Sequence, residues 1–294
     1  MLKKDLSVII VTFNSEKYIK KCVDSILSAA KNNFRIHIVL VDNGSTDNTR
    51  RIISNLKKRH DNVLSIENNR NVGFAKAVNI GIKFSPNSFY FLLLNPDTIL
   101  KKQSILNLVH CLEKNRAGIC GGKTIDAHGV TSGSHFRFPN IMVGIFDFTN
   151  FRRLCKSDKW HKYFYYKEME NKNKSFSVDI VTGGFMLITL DTIKKNGLLD
   201  ESFFMYLEDA DYCMKAKRNG IKIFYCDSSS IMHIGGASSK NKDRIRHSSW
   251  IISRKLFYLK NFGLFVNLVI QPIFIIDDII IIFLKFVKHE NFNR

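Results

Sequence analysis

Four short segments carry residues whose types and spacing could do chemistry. Leu92-Leu-Leu-Asn-Pro-Asp-Thr98 closes an apolar run with a carboxylate, Asp97, held just after a proline. A hard divalent cation takes oxygen ligands and commonly bridges one or two carboxylates to a diphosphate, so Asp97 is a metal-ligand candidate. The first acidic position of a D-x-D pair is Asn95 here, which offers a neutral oxygen instead. In Ser230-Ile-Met-His-Ile-Gly-Gly236 a single imidazole, His233, sits among apolar neighbours. Alone it reads as a core histidine; beside Asp97 it makes a plausible divalent-metal pair. Asp42-Asn-Gly-Ser-Thr-Asp47 ends one element and opens the next, with Ser45 or Thr46 available to cap a helix. Asp42 could accept a hydrogen bond from the imide N–H of a uracil or thymine ring, with Thr12 beside it. Glu208-Asp-Ala-Asp211 puts three carboxylates in one helical turn, Glu208 and Asp211 sharing a face and Asp209 projecting elsewhere. One of them could act as general base, or all three could complement a helix dipole; spacing does not choose.

These residues need elements to position them. Strand-like runs at Leu6–Phe13, Ile36–Asn43, Val63–Glu67 and Phe89–Asn95 alternate with helix-like stretches at Glu16–Ala30, Asp47–Lys58 and Phe74–Phe84. Continuous apolar strands separated by helices predict βαβ units and a parallel sheet covered on both faces. In such sheets ligands bind beyond the carboxyl ends of the strands, where Thr12, Asn14, Asp42, Asn43, Asn68–Asn71 and Asn95–Asp97 fall. The second half is less regular: a helix at Lys101–Lys114, a strand-like run at Val178–Leu190, a helix over Phe203–Gly220 with acids at its start, and a strand at Lys222–Cys226 leading to His233.

Composition narrows the function classes. The chain has 294 residues, 45 Lys and Arg against 26 Asp and Glu, and a net charge of +19. That length supports a full core without disulfides. The six cysteines include no C-x-x-C pair and read as buried thiols of a reducing compartment. The charge speaks of anionic partners rather than of fold. A basic nucleic-acid binder would need a binding motif, and Trp160-His-Lys-Tyr-Phe-Tyr-Tyr-Lys167 offers only aromatic and basic side chains, so no nucleic-acid partner is expected. Ala117-Gly-Ile-Cys-Gly-Gly-Lys-Thr124 loosely matches a P-loop but lacks a helix start after it, and there is no G-x-G-x-x-G for a dinucleotide.

Taken in order, Val11-Thr-Phe-Asn14, Val41-Asp-Asn-Gly-Ser-Thr-Asp47, Asn68-Asn-Arg-Asn-Val-Gly-Phe74 with Asn79, Asn95-Pro-Asp97, Gly183-Gly-Phe-Met186, Phe203-Phe-Met-Tyr-Leu-Glu-Asp-Ala-Asp211 and His233 resemble family 2 glycosyltransferases of the GT-A fold, in particular the bacterial rhamnosyltransferase-like branch that builds O-antigen or capsule. The resemblance spans about residues 5 to 240. It implies an α/β fold with a mostly parallel sheet flanked by helices and a helical C-terminal tail. It also implies an inverting transfer of a sugar, rhamnose from dTDP-rhamnose first and UDP-sugars next, to a polyprenyl-diphosphate-linked glycan. By this likeness Asp42 holds the base. Thr12, Asn14, Asn43, Asn71, Gly73, Lys76 and Asn95 join it around the donor, Asp97 and His233 hold a divalent Mg or Mn ion, and Asp209, paired with Glu208, is the general base. A glycosidase would not explain the nucleotide-type turn at Asp42.

The division expected is a catalytic domain over residues 1–240 and a basic, apolar tail over residues 241–294. Phe265–Val287 is almost wholly apolar but contains Asp277 and Asp278, which disfavour a simple membrane span. The tail is therefore expected to lie on an anionic membrane at the cytoplasmic face, with both acids turned toward water, or else to pack on the domain or in a homodimer.

Overall fold

The structure is a computed structural model that describes residues 4–29, 34–126, 128–151, 158–169, 174–234 and 242–290. Cys155, Lys240 and the Gly235–Gly236 pair lie outside the described residues. Strands β1 (Asp5–Thr12), β2 (Arg35–Asp42), β3 (Val63–Glu67) and β4 (Tyr90–Leu94) alternate with helices α1 (Ile19–Ala29), α2 (Thr49–Arg59) and α3 (Phe74–Phe84), within two or three residues of the predicted bounds. They pair in parallel in the order β3-β2-β1-β4. The pleat sorts the side chains of β1: Leu6, Val8 and Ile10 enter the core under α1 and α2, while Ile9 enters the opposite core with Val78 and Ile82 of α3. That two-sided burial is why these strands are uninterrupted apolar runs.

The second half completes one sheet with antiparallel insertions. After β5 (Thr98–Leu100), α4 (Ser104–Lys114) and β6 (Ile119–Asp126) come the short β7 (Thr131–Ser132), β8 (His135–Phe136), α5 (Ile141–Phe146) and α6 (Lys159–Phe164). Then follow β9 (Phe176–Ser177), β10 (Ile180–Val181), β11 (Phe185–Thr189), α7 (Leu190–Asn196), α8 (Glu208–Arg218) and β12 (Ile223–His233). The long path runs β3-β2-β1-β4-β11-β6-β12-β5, with β11 antiparallel to both β4 and β6. The loosened P-loop segment is strand β6, so it has no helix to bind a phosphate. The single strand predicted over Val178–Leu190 is two pieces, β10 and β11, broken at Thr182–Gly184 where the chain turns under the site. The five described cysteines are free and buried.

Two helices close the chain, α9 (Lys242–Asn261) and α10 (Leu264–Glu290). Phe257, Tyr258, Ile270 and Phe274 are fully buried in the same core as α8. The expectation that Asp277 and Asp278 face water is corrected here. Arg254, 1% exposed, donates to Asp277 at 2.7 Å and to Asp278, and also to the carbonyl oxygens of Phe148 and Phe274. Asp277 additionally accepts the Asn150 backbone N–H at 2.9 Å. A buried guanidinium needs its charge matched; the two acids do this and share its terminal N–H donors with the two carbonyls, while Nε is buried without a partner. The opposite face of α10 stays apolar and open at Leu264, Phe265, Leu268, Ile275, Ile279 and Ile282.

Asp277→Ala is therefore expected to lower unfolding stability by about 3–5 kcal/mol, since it strips a buried cation of a partner. Ile279→Ser, on the open face, should stay within about 0.5 kcal/mol of the parent. Urea midpoints at constant slope read both.

Candidate functional site

The carboxyl ends of β1, β2 and β4 open into a cavity of about 250 Å³. Its floor is a network of asparagines. Asn43 donates through Nδ2 to Asn71 Oδ1 at 2.8 Å and to the Gly73 carbonyl at 3.2 Å, and accepts from Asn68 Nδ2 and from the Val72 backbone N–H, both at 3.1 Å. Asn14, left-handed at φ 50°, receives the Thr46 N–H on its side-chain oxygen at 2.8 Å and donates its own N–H to Ser45 Oγ at 2.9 Å. Ser45 and Thr46 thus tie two loops together instead of capping α2, whose first N–H goes to Asp47 at 3.0 Å. Gly73 has φ 90°, and a Cβ there would lie 2.6 Å from the Phe204 carbonyl oxygen, which accepts the Phe74 N–H. Only glycine allows the asparagine loop and the Phe204 segment to touch.

Of the residues expected around the donor, Asn14, Asn43, Asn71, Gly73 and Asn95 line this cavity. Thr12 and Asp42 lie beneath it, fully buried and in register across β1 and β2. Asp42 accepts from Thr12 Oγ1 at 3.1 Å, from the Ser45 N–H at 3.0 Å and from Arg50 Nε at 2.9 Å. Lys76 stands apart from both cavities of the site. It lies in the first turn of α3, where its ammonium turns to Glu201 at 3.8 Å.

A second cavity, about 400 Å³, adjoins the first and shares Phe74, Asn95, Asp97, Met205 and Arg246 with it. Here the two metal-ligand candidates meet. Antiparallel pairing of β12 with β5 sets His233 opposite Thr98, and Nε2 of His233 lies 3.0 Å from Asp97 Oδ1. The Asp97 carboxylate raises the imidazole's affinity for its proton, partly offset by burial. Among the described residues no group of three or more acidic, histidine or cysteine side chains forms a ready cation cage. One carboxylate and one imidazole in contact, with Asn95 alongside, nevertheless fit a Mg or Mn ion that takes its remaining ligands from water and phosphate.

The same cavity holds Glu208 and Asp209, while Asp211 turns away to Lys260 and Asn261. The helical-face argument had joined Glu208 with Asp211. The helix instead begins only at Glu208, after Tyr206 and Leu207 in left-handed conformations, so its first two side chains both reach the cavity. Asp209 is oriented by the N–H groups of Gly183 at 3.0 Å and Ala210 at 2.8 Å, whereas Glu208 Oε2 is buried without a partner. Burial, and secondarily the Asp209 charge, push Glu208 up to about 8. Burial also raises Asp209, against the pull of its two N–H donors. Two N–H donors favour the charged form of Asp209 while Glu208 Oε2 has none, so a proton shared by the pair favours Glu208.

Phe204, Met205, Ile245 and Arg246 also line the site and were not singled out from the sequence. The first two were read as helix, and the last two belong to the tail helix α9.

Known proteins share sequence and fold with this chain. The family described as "Glycosyl transferase family 2" matches residues 7–196. The chain is 28% identical over 239 residues to the low-salt glycan biosynthesis hexosyltransferase Agl10 of Haloferax volcanii, covering 78% of this chain and 67% of that protein. It is 24% identical over 253 residues to the N-acetylglucosaminyl-diphospho-decaprenol L-rhamnosyltransferase of Mycobacterium tuberculosis, covering 82% and 80%. Its fold matches the crystal structure of GalNAc-T7 with UDP, GalNAc and Mn2+ at a TM-score of 0.60 and 18% identity, over 87% of this chain and 50% of that one. The chain is a member of glycosyl transferase family 2, a sugar transferase with the α/β, GT-A-type fold expected from its motifs.

Proposed function

We propose that the enzyme transfers a sugar with inversion from a nucleoside-diphosphate donor, dTDP-rhamnose first, to a hydroxyl of a polyprenyl-diphosphate-linked glycan, as in O-antigen or capsule synthesis. The observation that carries this reading is the joining of two cavities at Asn95 and Asp97. One is walled by amides and aromatics suited to a nucleoside; the other ends at a carboxylate pair suited to an acceptor hydroxyl. A UDP-sugar donor is the second choice, supported by the fold shared with the UDP-bound GalNAc-T7. The lipid-linked acceptor is supported by the decaprenol-named relative.

In this reading Asp42 keeps one unused lone pair on Oδ1 for the imide N–H of the base, and Thr12 holds the carboxylate in place. Asn14, Asn43 and Asn71 shape the nucleoside wall, and Gly73 lets Phe74 approach. Asp97 and His233 would hold a divalent ion, whose charge stabilises a diphosphate leaving group when bound. Asp209, ionised and aimed by two N–H donors, takes the acceptor proton as the hydroxyl attacks from the side opposite the diphosphate. Protonated Glu208 spares Asp209 a second negative charge beside it. One displacement inverts the anomeric carbon.

Asp97→Ala should cut transfer at least about 10²-fold, the scale of losing a leaving-group stabiliser, and chelation of divalent ions should do the same to the parent enzyme; full turnover in chelator contradicts the metal assignment. Asp209→Asn should bind donor normally and lose about 10²–10⁴-fold in kcat, with Glu208→Gln affected far less. The reverse ranking moves the base to Glu208. Because the base must be ionised, kcat should fall as pH drops through the raised Asp209 value.

For location, we read the open apolar face of α10, with Ile252 and Leu259 of α9, as lying in the interface of the cytoplasmic membrane leaflet; Phe265 is 86% exposed and the chain carries +19. The helix from Leu264 to Ile282 is long and apolar enough to span, yet Asp277 and Asp278 hold its inner face on the domain. Full-length enzyme should co-sediment with phosphatidylglycerol vesicles and Phe265→Asp/Ile279→Asp should not. A parent that stays in solution, dimeric by light scattering, assigns the face to a second copy instead.

A further inference from the structure

Arg50 is the second residue of α2, and a cation in the first turn of a helix opposes the helix dipole. Its charge is matched instead by Asp42, at the end of β2. Nε donates to Asp42 Oδ2 at 2.9 Å and lies 3.6 Å from Glu67, while Nη2 donates to the Asn68 carbonyl at 3.1 Å. Asp42 is fully buried, and Arg50 is its one cationic partner among the described residues. Asn68 closes the circuit: its backbone N–H donates to the Asp42 carbonyl at 2.8 Å and its Nδ2 to Asn43 Oδ1 at 3.1 Å. Asn43 lines the first cavity. One guanidinium thus fastens the end of β2 to the end of β3, and with them the asparagine wall.

The bonds of Asp42 decide what it can still accept. A carboxylate offers about four lone-pair sites on its two oxygens. On Oδ2 the Ser45 N–H and Arg50 Nε fill both, and on Oδ1 the Thr12 hydroxyl takes one. A single acceptor position is left, and it faces one way. Uracil and thymine present an N–H at ring position 3, which that position accepts. Cytosine presents a bare nitrogen lone pair there, which it repels. The terminal torsion of an aspartate is soft and roughly two-fold. Without Arg50, a second lone pair opens on Oδ2 and the carboxylate can turn toward the exocyclic amino group of cytosine.

Resting on the reading of Asp42 as the base-binding residue, we propose that Arg50 is the positioning residue that sets base selection. It acts through Asp42, by occupying Oδ2 and tying the carboxylate to the Asn68 loop, so that Oδ1 alone meets the base. The donor class it selects is a nucleoside diphosphate whose base is an imide, uracil or thymine, against cytosine.

The test is calorimetric titration of the full-length parent, Arg50→Met and Arg50→Lys with UDP, dTDP and CDP in Mg or Mn buffer, together with KM and kcat for transfer. The parent should prefer UDP and dTDP to CDP. Arg50→Met keeps the apolar stem and removes the donors. It should bind UDP and dTDP about 10-fold more weakly, the scale of a charge-assisted hydrogen bond, and CDP no more weakly, so that the preference shrinks by the same factor. The donor KM should rise with kcat held. Arg50→Lys fills Oδ2 but cannot also hold the Asn68 carbonyl, and its preference should fall between. A parent with no preference overturns the reading of Asp42 itself. A parent preference that Arg50→Met retains, or an equal loss on all three nucleotides, overturns the role of Arg50 alone. Should Arg50→Met not fold, the comparison rests on Arg50→Lys, where the full parent preference overturns that role.

Discussion

The contact between His233 and Asp97, 3.0 Å across the meeting point of two halves of the sheet, is the constraint on which the site depends. Asp97 follows the last parallel strand of the first half, and His233 ends the longest strand of the second. They meet because β5 turns back immediately after Asp97 and pairs antiparallel with the end of β12. The same turn carries the chain past Gly184, whose carbonyl accepts the Asn95 N–H at 3.1 Å, so the loop before β11 is registered to the same point. A slip of one residue in either pairing would send Asp97 or His233 to the other face of the sheet.

Everything else around the site is fastened to this junction from outside. The Phe204–Leu207 segment bridges from Gly73 to Glu208 and Asp209, using two left-handed residues to turn into α8. Strain of that kind persists where surroundings hold it, and here α9 does so through Ser253 and Arg246. The buried Arg254 cluster in turn holds α9 against α10. The apolar tail is thereby mechanically continuous with the rim of the site.

The parallel half of the fold was legible because its strands are buried on both faces and their carboxyl ends carry short polar residues; Asn14, Asn43, Asn71 and Asp97, picked out that way, line a cavity. Glu208 and Asp211 misled because helical spacing presumes a helix already under way, and at a first turn the two leading side chains splay together. Asp277 and Asp278 misled for a different reason. Their partner, Arg254, lies more than twenty positions earlier on another helix, and no local pattern distinguishes acids that face water from acids that neutralise a buried cation. Lys76 was carried by likeness alone, and Glu201 supplied a nearer partner. Arg246 went unnoticed because a basic run reads as a solvated face, and only the docking of α9 brings one of its members to the site.

The account is tested most directly by a crystal structure of the enzyme with dTDP or UDP and Mn2+, recorded at the manganese edge. The account predicts one anomalous peak within coordination distance of both Asp97 and His233, with the diphosphate lying between the two cavities and the base on the asparagine wall. A diphosphate bound elsewhere, or manganese remote from Asp97, would contradict it.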